Sequence, residues 1–440
     1  MCVLITILRL IYGLNSVIIN EWYSRKRAGI MPPFLKFSML PATKPSARNN
    51  PDPNSRQKFY QLCVLVAAGC LTTMTGGVVS PILPEMMQQL SLDRQWAGTL
   101  VSIHALAIAI FTPLLGILAD RIGKLRVLIP ALMLYAVFGV VGAFVPTLPP
   151  LLATRILLGI ASAGIAAASI GLLGTMYEGE ARSRILGYAT SAMTTASILI
   201  PIVGGWVGSF HWRFAFFLYG LSLPTALVAV LLLRETRSHS SSLIPAGQNK
   251  ILVQTIRKPE VLRLYLTIML AAAIVYAVVI YTPIYLKTVM GAGPALNGFV
   301  LGIRAIGAAV VSAVLASRLA KRLGTNQTIA LGFIVMALML MTIPFLDELR
   351  WILPTAVLFG MGFGVAIPNI YNALATLAPV DVRSSVLAIG TGANSLGQFI
   401  SPLMLGPIWD TVGLAAVFFG ASGVALIVGL LVFFQRELES

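Results

Sequence analysis

The chain alternates long apolar stretches with short polar breaks, and the stretches are too long and too numerous for the core of a soluble domain. A helix that crosses a bilayer needs about 20 mostly apolar residues. Runs of that kind fall near residues 60–82, 97–118, 127–146, 150–173, 185–208, 214–233, 262–286, 296–317, 326–346, 351–375, 385–408 and 412–434. The breaks hold Pro, Gly or charge, as at Asp93-Arg94, between Pro146 and Pro150, over 174–184, and at Leu346-Asp347-Glu348-Leu349-Arg350. Punctuation of this kind ends helices, so the pattern predicts an all-α membrane protein with twelve transmembrane helices. Two stretches differ: residues 21–58 are basic and rich in Pro and Asn, with few means of building a core, and residues 234–260 are polar enough for a linker.

A shift of 201 residues lays the chain on itself. It places Leu118-Ala119-Asp120-Arg121-Ile122-Gly123 on Leu319-Ala320-Lys321-Arg322-Leu323-Gly324, Gly159 on Gly360, Glu180-Ala181-Arg182-Ser183 on Asp381-Val382-Arg383-Ser384, and Pro201 on Pro402. Four separate matches at one offset predict two pseudo-symmetric six-helix bundles in parallel orientation. The boundaries read as a tail over 1–58, a first bundle over 59–233, a cytoplasmic linker over 234–260, a second bundle over 261–434 and a tail over 435–440. Duplicated bundles of this kind form a midplane site between halves that rock against each other.

Composition agrees: 58% of residues are apolar and only 10% charged, with a mean hydropathy of +0.89. A soluble domain carries about 25% charge, so an ordinary soluble enzyme is excluded. Lys and Arg outnumber Asp and Glu by 31 to 15, giving +16, which in a soluble protein would raise nucleic-acid binding. Placement removes that reading: 24 of the 31 basic residues sit in loops on one side of the predicted spans, and Arg94, Arg213, Lys287 and Arg350 alone sit on the other. This bias marks the cytoplasmic face and puts both ends of the twelve-span core there. No nucleic acid is expected as a partner. The three cysteines and three histidines form no metal-ligand spacing, so neither a metal nor a cofactor is expected, and the absence of GxxxxGK[ST] excludes an ATP-driven pump. Met1 to Ile19, apolar but broken by Arg9 and Asn15, admits three readings: an interfacial or signal-like segment, an extra span, or an extension upstream of a start at Met31 or Met39.

The most specific motif follows span 2: Gly116-Ile117-Leu118-Ala119-Asp120-Arg121-Ile122-Gly123-Lys124-Leu125-Arg126. Its glycines suit a tight turn with close helix approach, and its basic residues hold the loop in water. It resembles the signature loop of the major facilitator superfamily, with Leu125 where a second basic residue is common. The resemblance implies a gating loop in which Asp120 clamps the dipole-positive start of span 11 and latches the outward-facing state. Span 4 carries Leu151-Leu152-Ala153-Thr154-Arg155-Ile156-Leu157-Leu158-Gly159-Ile160-Ala161, which resembles the LxxxRxxxGxxA motif of the proton-coupled antiporter branch. An embedded arginine is costly and faces the protein interior; Arg155 thereby becomes a candidate for proton transfer or substrate binding, with snorkelling to the interface as the structural alternative. In span 5, Pro201, Gly204 and Gly205 keep part of the branch's GxxxGPxxGG motif, while Ala196 and Ile200 stand in place of its earlier glycines; the resemblance gives them a hinge or leak-barrier role. With Trp212-Arg213-Phe214, the likeness to the twelve-span drug:proton antiporters covers about residues 59–434.

One departure stands out. No Asp or Glu falls inside a predicted span, where many multidrug antiporters hold a carboxylate in span 1; Thr72, Thr73 and Thr75 occupy that depth, and Glu85 and Asp410 lie near span ends. The embedded candidates for substrate or proton coupling are Arg155, His104, which titrates near neutrality, and Arg304, which an offset of 200 pairs with His104. Tyr276, Tyr281, Asn369, Asn372, Asn394 and Gln398 are polar positions in second-half helices that line the cavity in this superfamily. Inter-helix hydrogen bonding is their structural alternative. The expected protein is a monomeric secondary transporter of the bacterial inner membrane. It works by alternating access with proton antiport and exports a drug-like or metabolic small molecule. A facilitator or symporter of the same fold for a neutral or anionic solute is the alternative, and a non-transporting receptor or membrane enzyme is the reading from another class.

Overall fold

The computed structural model describes residues 53–177, 179–233 and 246–435. The readings made for Met1 to Ile19 and for most of the basic tail lie outside them. The described residues form helices joined by short turns, with no strand among them. The first half comprises α1 (Pro53–Gly77), α2 (Val79–Gln89), α3 (Arg94–Ile122), α4 (Lys124–Val141), α5 (Leu148–Met176), α6 (Gly179–Gly208), α7 (Trp212–Phe217) and α8 (Ser222–Leu232). A linker helix α9 (Ala246–Ile256) leads to α10 (Pro259–Met290), α11 (Pro294–Val314), α12 (Ala316–Leu323), α13 (Thr325–Thr342), α14 (Leu349–Leu377), α15 (Arg383–Thr411) and α16 (Leu414–Phe433).

Eleven segments are long and apolar enough to cross a membrane. The predicted span missing from these is the eleventh, 385–408, which forms α15; at 29 residues it reaches about 43 Å but carries Ser384, Ser385, Thr391, Asn394, Ser395, Gln398 and Ser401. Its neighbours explain that polarity: α15 packs on α10, α16 and α3, so much of its surface meets protein. The first span also differs from its reading. It runs as α1 and α2 with a turn at Val78, and continues through Pro84 to Gln89. Glu85 therefore lies within a spanning segment, which corrects the expectation that every acid falls outside the spans.

The halves repeat in three dimensions as in sequence. A Cβ at Gly159 would stand 2.5 Å from the carbonyl oxygen of His104, and one at Gly360 would collide with the carbonyl oxygen of Arg304. The turns after α3 and α12 end on Gly123 (φ 111°) and Gly324 (φ 89°), a region that side chains rarely adopt. Between the halves, α6 packs on α11 and α3 on α15. The contact of α6 with α11 is backbone against backbone: Gly205 lies on the Pro294 carbonyl, and Gly298 lies on the Pro201 carbonyl. The named contacts between the halves, such as Gly98 on Pro402, Gly205 on the Pro294 carbonyl and Lys287 with Glu85, lie away from the basic turns, whereas beside those turns Asp120 pairs with Lys124 of its own half and Gly116 has no neighbouring atom within 4 Å of where a Cβ would sit. The molecule is thus packed at one end and parted at the other.

Candidate transport site

The embedded charge of the first half is enclosed by aromatic rings. Arg155, 1% exposed, lies two turns into α5 and does not snorkel; its guanidinium stacks 4.5 Å over Phe216 and 5.3 Å over Tyr219. Its Nη1 donates to the Tyr219 hydroxyl at 3.0 Å, and that hydroxyl donates to the Met74 and Thr75 carbonyls at 3.2 Å each. Tyr135 donates to the Leu71 carbonyl at 2.6 Å, and its oxygen lies 3.2 Å from Thr75 Oγ1, which also donates at 3.3 Å to Ser162, the residue that closes the span 4 motif where its pattern has alanine. This network ties α1, α4, α5 and the α7–α8 junction around the cation. It leaves Arg155 Nε and Nη2 sealed without a partner. Cation–π stacking offsets part of the cost of burial.

A second group bridges the halves. His104 on α3, 3% exposed, places Nε2 3.4 Å from the Tyr276 hydroxyl on α10, a long contact between rings 6.5 Å apart. Its electrostatic neighbour in the first half is Arg155, while Tyr276 has Arg304 as its neighbour in the second. A chain of four groups, Arg155, His104, Tyr276 and Arg304, thus crosses the interface with no carboxylate among them. Gly76 makes room for it: a Cβ there would stand 2.5 Å from the Tyr276 hydroxyl and 3.2 Å from His104 Cε1. Arg304 takes part in no hydrogen bond or ion pair among the described residues, and its Nε is sealed without a partner. Toward the packed end, Lys287 on α10 pairs with Glu85 on α2 at 3.2 Å. Asn297 donates to the Pro81 carbonyl at 3.1 Å, and Ser80 donates to the Val279 carbonyl.

A family model described as Major Facilitator Superfamily matches residues 65–402 and 310–440. The chain belongs to the Major Facilitator Superfamily. Relatives include the quinolone resistance protein NorA of Staphylococcus aureus (strain MRSA252), 23% identical over 362 residues that cover 82% of this chain and 92% of NorA. The class B tetracycline resistance protein of Escherichia coli is 25% identical over 358 residues, 77% of this chain and 88% of that one. Among solved structures, the nucleoside transporter NupG aligns with a TM-score of 0.73 at 13% identity, over 86% of this chain and 100% of its own. An inward-facing bacterial homologue of the lysosomal transporter Spinster aligns with a TM-score of 0.69 at 16% identity, over 86% and 95%. These structures share the fold.

Within this superfamily fold the predicted residues separate into three groups. His104, Tyr276, Arg155 and Arg304 form the chain across the interface. Asn394 and Gln398 pair with each other along α15, Gln398 Nε2 donating to Asn394 Oδ1 at 2.8 Å. The others lie elsewhere. Tyr281 packs edge-on against Trp409 at 5.7 Å; Asn369 donates to its own helix at Val365 and to the Ala316 carbonyl at 3.3 Å; Asn372 is exposed. In the gating loop, Asp120 meets Lys124 at 3.6 Å and no residue of α15. The expected clamp is not made here, because the halves are parted at that end. Arg121 and Arg126 are exposed, and Gly116 has open space around it. Pro201, Gly204 and Gly205 lie in the packed seam, where a Cβ at Gly204 would stand 3.1 Å from the Val78 backbone. Sequence reading missed Tyr135, Tyr219, Gly76 and the Glu85–Lys287 pair. Single tyrosines in apolar runs, and two opposite charges 202 positions apart in a chain repeating at 201, were the available signals.

Proposed function

We propose that this superfamily transporter exports a drug-like or metabolic small molecule by alternating access, with proton antiport, as a monomer in the bacterial inner membrane. The observation that carries the reading is the asymmetry of the interface: the halves are packed at one end and parted at the other, with the Arg155–His104–Tyr276–Arg304 chain between them. With the basic turns facing the cytoplasm, this arrangement is the inward-facing state, and Asp120 clamps the start of α15 when that end closes. Pro201, Gly204 and Gly205 act as the barrier that keeps the packed end tight. Efflux is supported by the drug-resistance names of the relatives. His104 is the group assigned to proton movement, with Arg155 as the fixed positive charge beside it, since no carboxylate joins the chain.

The test is flux in proteoliposomes with and without an imposed pH gradient. Proton antiport requires that collapsing the gradient stop concentrative transport. Transport that continues at an undiminished rate would remove the proton from the reading and leave facilitated movement of the solute.

A further inference from the structure

We infer that the solute is an organic anion of single negative charge, and that Arg304 meets its charged head. The inference rests on the transporter reading above and names the substrate class of that site. Arg304 stands on α11 in a frame fixed by two glycines: Gly302 packs on Ile202 of α6, and Gly360 of α14 packs on the Arg304 carbonyl. The backbone is therefore anchored while the guanidinium is left without a hydrogen bond or ion pair among the described residues. Only its Nε is among the sealed unpartnered atoms; its two terminal amino groups are not. They open onto a cavity of about 30 Å³ that Arg304 lines with Thr282, Ala356 and Phe359, and the Tyr276 hydroxyl is the electrostatic neighbour of the group.

The other charged groups cannot serve instead. Arg155 is stacked, hydrogen-bonded and sealed, so it adds positive field without offering a contact. Glu85 is held by Lys287, and Asp410 neighbours Tyr281, which lies outside the chain of four. A cationic solute would add a third positive charge to this region. An anion supplies the partner that a buried guanidinium otherwise lacks, and the planar fork suits a carboxylate or sulfonate head. One reachable guanidinium offers its donors to one anionic head.

Thermal unfolding of the purified full chain in detergent, with 1-naphthoate, 1-naphthamide or tetraphenylphosphonium, tests this, followed by flux of labelled 1-naphthoate in proteoliposomes. Naphthoate should stabilise the protein while the amide and the cation do not. Arg304→Gln should weaken naphthoate binding by about ten- to a hundredfold, the worth of a charge-assisted hydrogen bond, and Arg304→Lys should recover part of it. If Arg304→Gln does not fold, Arg304→Lys decides through the loss of the planar fork. Equal protection by the amide or the cation, or unchanged naphthoate binding in the folded variant, overturns the inference. If ethidium is moved but naphthoate is not bound, the anion reading falls and the transporter reading stands. If the folded protein moves none of these probes, both fall.

Discussion

The two halves share a packing frame and place opposite chemistry in it. In the first, Gly159 holds α5 against the His104 carbonyl, and Arg155 fills the bundle interior between Phe216 and Tyr219. In the second, Gly360 holds α14 against the Arg304 carbonyl. The position matching Arg155 is Ala356, which lines a cavity of about 30 Å³ together with Val278, Phe359 and Arg304 itself. The cation has moved one helix across, from the α5 position to the α11 position that corresponds to His104. Glycine contacts that bring backbones together repeat, whereas side chains that carry charge do not. The first half is built around a cation committed to internal bonds, the second around one left available.

The shared frame breaks most severely at its glycines. Gly159→Leu and Gly360→Leu should each prevent assembly of a stable protein, and the corresponding alanine variants should destabilise it by about 1–3 kcal/mol, read as thermal unfolding in detergent. Similar losses in the two halves would support the common frame; loss in one alone would contradict it.

Arg155→Ala should cost about 2–4 kcal/mol, because a cavity opens and the Tyr219 hydroxyl loses its donor, and transport should fall with it. Arg304→Ala should leave thermal stability within about 1 kcal/mol of wild type while abolishing transport. Equal destabilisation by both would erase the contrast between a structural and an available cation.

Glu85→Lys should loosen the packed end by only about 0.5–1 kcal/mol, since the pair is partly exposed. Labelling of a cysteine introduced at Ser80 should rise, and combining the change with Lys287→Glu should restore protection. The smallest effect expected on the stability of this state is that of Asp120→Asn, which removes a single exposed contact with Lys124. Its turnover should nevertheless slow, and unchanged turnover with weaker solute binding would exclude the clamp.

Much of this architecture was legible because membrane helices leave long apolar runs and a duplicated chain leaves a constant offset. The spans, the two bundles and the pairing of His104 with Arg304 could all be read that way. Hydropathy misleads where it reports what faces lipid at positions governed by what faces protein. Glu85, expected outside a span, lies inside one because it meets Lys287 there, and on α15 Ser401 bonds the Ala273 carbonyl of α10 while Asn394 and Gln398 bond each other. The embedded charges were legible, and the residues that support them were not. Tyr219 and Gly76 act through contacts 64 and 28 residues away, with Arg155 and His104, and no local pattern announces a partner at that distance. Asn369 looked like a cavity residue because an amide in an apolar helix signals a need for hydrogen bonds without saying whether backbone or solute meets it.

The seam where Gly205 lies on the Pro294 carbonyl and Gly298 on the Pro201 carbonyl also has an electrical consequence. If water fills the parted end, as the alternating-access reading requires, the membrane voltage does not fall evenly across the protein's thickness. It falls across the few residues of the seam, where two backbones touch with no side chain between them. Moving one elementary charge through that layer exchanges about 2.3 kcal/mol for every 100 mV, although the distance travelled is only a fraction of the bilayer. A contact between four small residues is therefore also the dielectric layer of a capacitor.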